Sequence, residues 1–199
     1  MIDLYQDTPA LEDVVNQTGY KSLRSLMFLH HLVKNADPEF VLELGTGFGC
    51  SSIFMALAFN GKQIFSVDDY RGDTTLSQAV PQGNLEKCGV ADKVTLVHQD
   101  ARFFIGAPNP DLVFMDASHN KVDLLSEYAA IESALPENHI IVIDDLFSTD
   151  VKEFAVDLLK KDCYDLCLMP KFHDGMAVLT SYGYASIIMH AIVEGARYA

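Results

Sequence analysis

The sequence predicts an α/β fold in which a mostly parallel, doubly wound sheet is covered by helices on both faces. Three observations lead to this prediction. Short apolar runs that are typical of strands alternate along the chain with longer segments of helical periodicity. The apolar runs are nearly continuous, as expected for parallel strands that are buried on both faces. The last two runs have no helix between them, which predicts a closing antiparallel strand.

The predicted elements follow one another at short intervals, and glycine or proline residues end several of them. A helical stretch over roughly 23–35 comes first. The predicted strands are 40–44, 63–67, 93–97, 111–115, 139–143, 164–169 and 176–180. The predicted helices between them are 51–60, 76–88, 122–135 and 151–161. Pro170 and Asp174-Gly175 indicate a tight reversal between the last two strands.

The chain has no linker-like stretch or repeat, so we expect residues 1–199 to form a single domain. Within it, residues 1–37 form an N-terminal helical extension and residues 38–181 form the core. Residues 182–199 are an aromatic and apolar C-terminal extension. This extension is expected either to cover the functional site or to pack against a second subunit in a homodimer.

The charge of the chain limits its partners. The 28 acidic and 14 basic residues give a formal net charge of −14. Such a surface repels phosphate backbones and anionic lipids, so neither nucleic acid nor a membrane is an expected partner. The first residues do not resemble a secretory signal, and no window approaches the roughly 20 apolar residues of a spanning helix. The expected location is cytoplasmic.

The segment 43–52 carries the strongest functional signal, because three alternating glycines connect a strand to a helix. Glycines there permit a tight turn, and the helix N-terminus behind them attracts a carboxylate or phosphate. A nicotinamide-binding loop, G-x-G-x-x-G from Gly45, would have glycine at the position of Cys50. Glu43 is unfavourable beside a pyrophosphate, but it is favourable near an ammonium and a sulfonium group.

The pattern E-x-G-x-G-x-G at 43–49 resembles the first motif of the class I S-adenosylmethionine-dependent methyltransferases. The resemblance extends over about Phe40 to Thr180. It implies the Rossmann-like methyltransferase fold and a loop that holds the methionine part of S-adenosylmethionine. The cofactor contacts that it implies in this segment are Glu43, Gly45, Thr46, Gly47 and Ser51.

Acidic residues at two further strand ends fit the same cofactor. Asp68 lies 23 positions after Gly45, and an acid about 20 residues beyond such a loop can bind ribose hydroxyls. Asp69 is the alternative, because consecutive strand residues face opposite ways. The resemblance also implies that Asp100, with Ala101, lies at the adenine amino group. An aspartate there is equally expected as a helix N-cap.

Asp116, Asp144 and Asp145 follow two more predicted strands, whose carboxyl ends meet at one edge of the sheet. Three converging carboxylates are tolerable around a cation, and oxygen ligands favour Mg²⁺. This pattern resembles the metal-dependent small-molecule O-methyltransferases that act on catechols, caffeoyl-CoA or antibiotic sugars. In that branch the matching acids bind the metal. The alternative is that Asp145 caps the next helix and Asp116 serves only the cofactor.

His119 lies three residues after Asp116, where the catechol branch has a lysine base. His119 is predicted as the base that removes the acceptor proton; a ligand-supporting or surface histidine is the alternative. Asp116 is predicted as the second catalytic residue and as a cofactor contact. The predicted function is methyl transfer from S-adenosylmethionine to a small-molecule acceptor, at a hydroxyl and with help from a divalent metal. The alternatives are an inactive S-adenosylmethionine-binding partner protein and a nicotinamide-dependent oxidoreductase.

Overall fold

One sheet of seven strands organises the protein. The computed structural model describes residues 4, 8–18, 22–71, 75–106, 109–161, 163–169 and 175–181. The strands of the sheet are β1 (Phe40–Leu44), β2 (Gln63–Asp68), β3 (Val94–His98), β4 (Leu112–Met115), β5 (Ile140–Ile143), β6 (Asp165–Met169) and β7 (Met176–Thr180). Each of them was predicted from the sequence, with ends that differ by no more than one residue.

The strand order is β3-β2-β1-β4-β5-β7-β6. The pairs from β3 to β5 are all parallel, whereas β7 is antiparallel to both β5 and β6. The predicted mostly parallel, doubly wound sheet with an antiparallel last strand is therefore confirmed. The order reverses between β1 and β4, and a reversal of this kind opens a crevice at the carboxyl ends of the two strands.

Helices cover both faces of the sheet. They are α1 (Ala10–Thr18), α2 (Leu23–Ala36), α3 (Cys50–Ala58), α4 (Ala79–Lys87), α5 (Lys121–Ile131) and α6 (Thr149–Leu159). Sequence analysis missed α1 but predicted the other five. Between β3 and β4, the described residues form a 3-10 turn, Ala101–Phe103, and no α-helix. Among the helices that the structure describes, none has the length and apolarity needed to cross a membrane.

Residue alternation along the strands divides the core into two clusters. In β1, Val41 belongs to the cluster formed with α1, α2 and α3, whereas Leu42 and Leu44 belong to the cluster formed with α5 and α6. All three side chains are fully buried. Because both faces of the strand are covered, the sequence of β1 is apolar at nearly every position. Its one polar residue, Glu43, is therefore conspicuous.

Two helices differ in extent from their predictions. The helix predicted over 76–88 begins only at Ala79. Pro81 lies in the first turn of this helix, where backbone N–H groups have no partner within the helix, so the missing N–H of proline costs no hydrogen bond. The helix predicted over 122–135 ends as α-helix at Ile131 and continues as a 3-10 turn, Glu132–Ala134. The reversal predicted at 170–175 lies outside the described residues except for Gly175. The C-terminal extension 182–199 also lies outside them.

Gly45 lets the end of β1 approach the end of β4 very closely. Its φ is +98°, and a Cβ placed on it would lie 2.4 Å from the carbonyl oxygen of Asp116. The backbone N–H of Asp116 donates to Leu44 O over 2.8 Å, and that of Gly45 donates to Val67 O over 2.8 Å. Gly45 thus connects the ends of three strands, which fixes the floor of the crevice.

We predict that Gly45→Ala destabilises the fold far more than Gly47→Ala does. The new methyl group at position 45 must displace backbone, whereas a Cβ on Gly47 meets nothing within 4 Å. We expect Gly47→Ala to lower the free energy of unfolding by about 1–2 kcal/mol, the cost of a left-handed backbone without glycine. Gly45→Ala adds a steric cost of about 1–3 kcal/mol.

Urea denaturation of the two variants measures this difference, and Gly47→Ala serves as the matched control because its φ is also positive, at +50°. Equal losses of stability in the two variants would contradict the close packing of Gly45.

Candidate functional site

The glycine loop lies at the carboxyl edge of the sheet, where the strand order reverses. It leaves β1 at Gly45 and enters α3 at Cys50, with Gly49 as the N-cap at φ +84°. The N–H of Gly49 donates to Thr46 O over 2.8 Å and closes a tight turn. The N-terminal end of α3 therefore points at the crevice with its partial positive charge. A Cβ on Gly47 would extend into open space.

The carboxylate of Asp68 holds this loop in place. Its Oδ2 accepts the backbone N–H groups of Thr46, over 2.9 Å, and Gly47, over 2.8 Å. Its Oδ1 accepts the N–H of Tyr70 over 2.7 Å. A carboxylate offers about four acceptor positions, so one position on Oδ1 has no partner among the described residues. The predicted ribose ligand thus also anchors the loop.

Glu43 lies beneath the loop and is 0% exposed. Its carboxyl oxygens accept hydrogen bonds from the hydroxyl groups of Ser51, Ser52 and Ser66. Ser66 also hydrogen-bonds Thr46 Oγ1 over 2.7 Å. The structure therefore places Glu43 and Ser51, both predicted to touch the cofactor, in a buried network that supports the loop from below. Their contact with the cofactor stays a prediction.

A chain of ion pairs crosses the predicted adenine corner, after β2 and β3. Arg71 binds both Asp69 and Asp100, and Arg102 binds both Asp100 and Asp123. Arg102 has the larger effect on Asp100 and lowers the pKa of this carboxyl well below its ordinary range. Asp100 also caps the 3-10 turn by accepting the N–H of Arg102 over 3.0 Å.

Asp100 was predicted either to contact the adenine amino group or to act as a helix N-cap. Its role as an N-cap is observed, and its contact with adenine stays a prediction. Ala101, also predicted at the adenine, is buried in the first position of the turn. The ion pairs of Arg71 and Arg102 were not predicted from the sequence. The positions of the two arginines, two residues after Asp69 and Asp100, were the only signal.

A second cluster lies on the other side of the reversal point. It contains Asp116, His119 and Asp145, each of which offers one ligand atom within 4.8 Å of the others. His119 Nε2 is hydrogen-bonded to Asp145 Oδ2. This bond raises the pKa of His119 above its ordinary value, and the charges of Asp145, Asp116 and Asp144 act in the same direction. The imidazole is therefore oriented by a carboxylate.

The third predicted metal ligand, Asp144, is not in this cluster. Its side chain is buried, and its Oδ1 accepts the backbone N–H of Asp145 over 3.0 Å. Asp145 itself has a φ of 57°, an unusual conformation for a residue other than glycine. Asp144 thus stabilises the turn that brings the carboxylate of Asp145 to His119. Among the described residues, His119 therefore lies together with Asp116 and Asp145.

Glu127 is a further acid near the site that sequence analysis missed. It lies on the buried face of α5, one turn after Asp123, and is 2% exposed. Its Oε2 has no hydrogen-bond partner in the part of the chain that the structure describes. Burial raises the pKa of Glu127 from 4.5 to about 8, and Asp123 and Asp100 add to the shift. Arg102 and His119 oppose it. Only the helical spacing from Leu124 and Ile131 indicated this burial.

The family model described as a methyltransferase domain matches residues 42–146, slightly more than half of the chain. This range begins in β1 and ends just after Asp145, so it contains the glycine loop, the ion pairs at the adenine corner and the cluster of Asp116, His119 and Asp145. No curated protein sequence matches the chain.

Several solved structures are similar to this one in fold. An O-methyltransferase from Bacillus cereus in complex with SAH has a TM-score of 0.72 at 16% identity, over 87% of this chain and 90% of its own. The O-methyltransferase TomG from Streptomyces achromogenes, involved in tomaymycin synthesis and in complex with SAM, has a TM-score of 0.69 at 19% identity, over 92% and 91%. The SAH-bound methyltransferase PaMTH1 from Podospora anserina has a TM-score of 0.70 at 19% identity, over 92% and 89%.

We predict that the buried Glu127 makes the protein less stable as the pH rises from about 4.5 to about 8. Its pKa is 4.5 in the unfolded chain and about 8 in the folded protein. In this interval the unfolded state loses its proton first, so the free energy of unfolding falls by about 1.4 kcal/mol per pH unit on account of this group.

Glu127→Gln removes the titration but keeps the shape of the side chain. We expect the gain in stability of the variant over the native chain to grow with pH across this interval and to level off above it. Urea denaturation at several pH values measures the difference. Parallel pH profiles of the two proteins would contradict the buried, neutral carboxyl.

Proposed function

The chain belongs to the methyltransferase-domain family, and we propose that it transfers a methyl group from S-adenosylmethionine to a hydroxyl group of a small molecule. The observation that carries this proposal is the glycine loop, whose amides are fixed by Asp68 at the reversal point of the sheet. The arrangement suits a ligand that has a carboxylate at one end and a ribose at the other.

The open space over the loop and the remaining acceptor position of Asp68 indicate how the cofactor would bind. The methionine carboxylate would lie at the N-terminal end of α3, over Gly47, where the loop leaves open space. A ribose hydroxyl would donate to the remaining position on Asp68 Oδ1. Asp69 is the weaker candidate, because Arg71 already donates to both of its carboxylate oxygens.

The acceptor is proposed to be a small molecule with a hydroxyl group. The similar structures named above include O-methyltransferases, which supports an oxygen acceptor. The net charge of −14 disfavours nucleic acid, because a phosphate backbone would be repelled. The proposed location is cytoplasmic, and a homodimer stays a proposal for the apolar extension 182–199.

The chemistry requires little of the protein beyond alignment and removal of a proton. S-Adenosylmethionine supplies an activated methyl group, and the acceptor oxygen must approach it in line. His119 lies beside Asp116 and Asp145 at the crevice, and its hydrogen bond to Asp145 orients the ring. An imidazole held in this way can take the proton of the acceptor hydroxyl.

We predict that S-adenosylhomocysteine binds the native chain, that NAD does not, and that Asp68→Asn weakens the binding at least tenfold. The asparagine replaces a carboxylate oxygen by an amide that cannot accept the two loop N–H groups and a ribose hydroxyl in the same geometry. Isothermal titration calorimetry measures all three affinities.

The control is Asp92→Asn, which removes the same charge from the 3-10 turn Ala91–Lys93, before β3 at the opposite edge of the sheet. It should bind like the native chain. If S-adenosylhomocysteine does not bind but NAD does, the oxidoreductase alternative would replace this proposal. Binding without methyl transfer to any phenol or sugar would favour the inactive partner protein.

A divalent metal is a second proposal, favoured by the cluster of Asp116, His119 and Asp145. Two carboxylate oxygens and one imidazole nitrogen within 4.8 Å of one another form a mixed ligand set that fits one cation. Carboxylate ligands suit both Mg²⁺, the predicted ion, and Mn²⁺, and Mn²⁺ is the better probe because its unpaired electrons make its binding observable. A bound divalent ion would lower the pKa of the acceptor hydroxyl and fix its position.

We predict that Asp145→Asn weakens Mn²⁺ binding about tenfold or more, and that Asp92→Asn does not, because only the first removes a ligand. Electron paramagnetic resonance of free Mn²⁺ measures the affinity. His119→Gln separates the two uses of the imidazole: it weakens Mn²⁺ binding if His119 is a ligand, and it lowers only the turnover if His119 is the base. Equal affinities in the two aspartate variants would contradict the site.

A further inference from the structure

Arg71 connects two loops at the adenine corner. It lies after β2, and its guanidinium reaches the carboxylates of Asp69 and Asp100, the latter after β3. Its side chain is 64% exposed, so this bridge lies on the rim of the crevice and not in the core. Arg71 is the only described residue of the β2 loop that binds Asp100.

The carboxylate of Asp100 has no acceptor position left for a ligand. Its Oδ1 accepts the backbone N–H and the Nε–H of Arg102, each over 3.0 Å. Its Oδ2 accepts one hydrogen bond from Nη2 of Arg102, over 2.7 Å, and one from Nη2 of Arg71. These four bonds fill the roughly four positions that a carboxylate offers. An incoming amino group must therefore replace one of them.

Arg71 is the donor that can leave at the lowest cost. Arg102 makes three bonds to Asp100, one of them from its own backbone, and a fourth to Asp123 on α5. Arg71 makes a single bond to Asp100 and keeps three bonds to Asp69 when that one breaks. Its release leaves no buried group without a partner.

We propose that Arg71 sets the affinity and the base selectivity of the cofactor site by competing with the adenine amino group for Asp100. The inference rests on the proposed function, because it takes the cofactor to be an adenosyl compound, and on the predicted contact between Asp100 and the adenine amino group. The 6-amino group of adenine donates to Asp100 only after Arg71 has withdrawn to Asp69. A purine with a 6-oxo group does not need this exchange, since its oxygen accepts from Arg71 where the guanidinium already lies.

The test compares two ligands on the full chain by calorimetry: S-adenosylhomocysteine and its 6-oxo analogue, S-inosylhomocysteine. Neither carries a sulfonium charge, so loss of the arginine charge alone changes their attraction little. We expect Arg71→Ala to bind S-adenosylhomocysteine about two- to fivefold more tightly, as expected for loss of one exposed ion pair. The 6-oxo analogue should bind the variant no more tightly than it binds the native chain.

Lys62→Ala is the matched control. Lys62 is also 64% exposed and pairs with Glu39, but it lies before β2, at the opposite edge of the sheet. It should leave both affinities unchanged. Higher ionic strength weakens exposed ion pairs, so it should narrow the difference between the native chain and Arg71→Ala for S-adenosylhomocysteine.

An unchanged or weaker affinity of Arg71→Ala for S-adenosylhomocysteine would overturn the inference, and so would equal gains for the two ligands. Asp100→Asn separates this failure from others. If it does not change the affinity for S-adenosylhomocysteine, the contact between Asp100 and adenine is wrong and the inference falls with it. If the native chain binds neither ligand, the proposed function itself is wrong.

Discussion

The contact between Gly45 and the backbone of Asp116 is the constraint on which the site depends. A side chain at position 45 would collide with the Asp116 carbonyl oxygen at 2.4 Å, so only glycine lets the ends of β1 and β4 meet. The glycine loop and the cluster of Asp116, His119 and Asp145 both begin at this meeting point. The loop that follows Gly45 faces Asp68, and the segment that follows Asp116 carries His119. The site is therefore a property of the sheet ends and not of one loop.

The acidic residues at this edge fall into distinct roles according to what surrounds them. Glu43 and Asp144 are buried and hold local structure, through hydroxyl groups and a backbone amide respectively. Asp68 holds the loop but keeps an acceptor position that has no partner among the described residues. Asp116 and Asp145 converge with an imidazole. A large excess of acids at one edge is thus tolerable, because backbone donors, hydroxyls and arginines stabilise most of them.

The sequence was sufficient for the fold and the family, because strand periodicity and glycine spacing are local signals. The seven strands, the antiparallel β7 and the methyltransferase family are confirmed. The partners of individual carboxylates could not be predicted, because they depend on distances between strand ends. Asp144 and Asp145 are adjacent in sequence, yet a φ of 57° at Asp145 sends only one of them to His119. The ion pairs of Arg71 are likewise tertiary, and no period in the sequence encodes them. Helical spacing places Glu127 on the buried face of α5, but the partners of its carboxyl group depend on the tertiary structure.

A crystal structure of the chain with S-adenosylhomocysteine would show directly where the cofactor lies. We expect the homocysteine carboxylate at the N-terminal end of α3 above Gly47, and a ribose hydroxyl within hydrogen-bonding distance of Asp68 Oδ1. A ligand bound away from the 45–49 loop, or a ribose held by other residues while Asp68 contacts only the loop amides, would contradict this expectation.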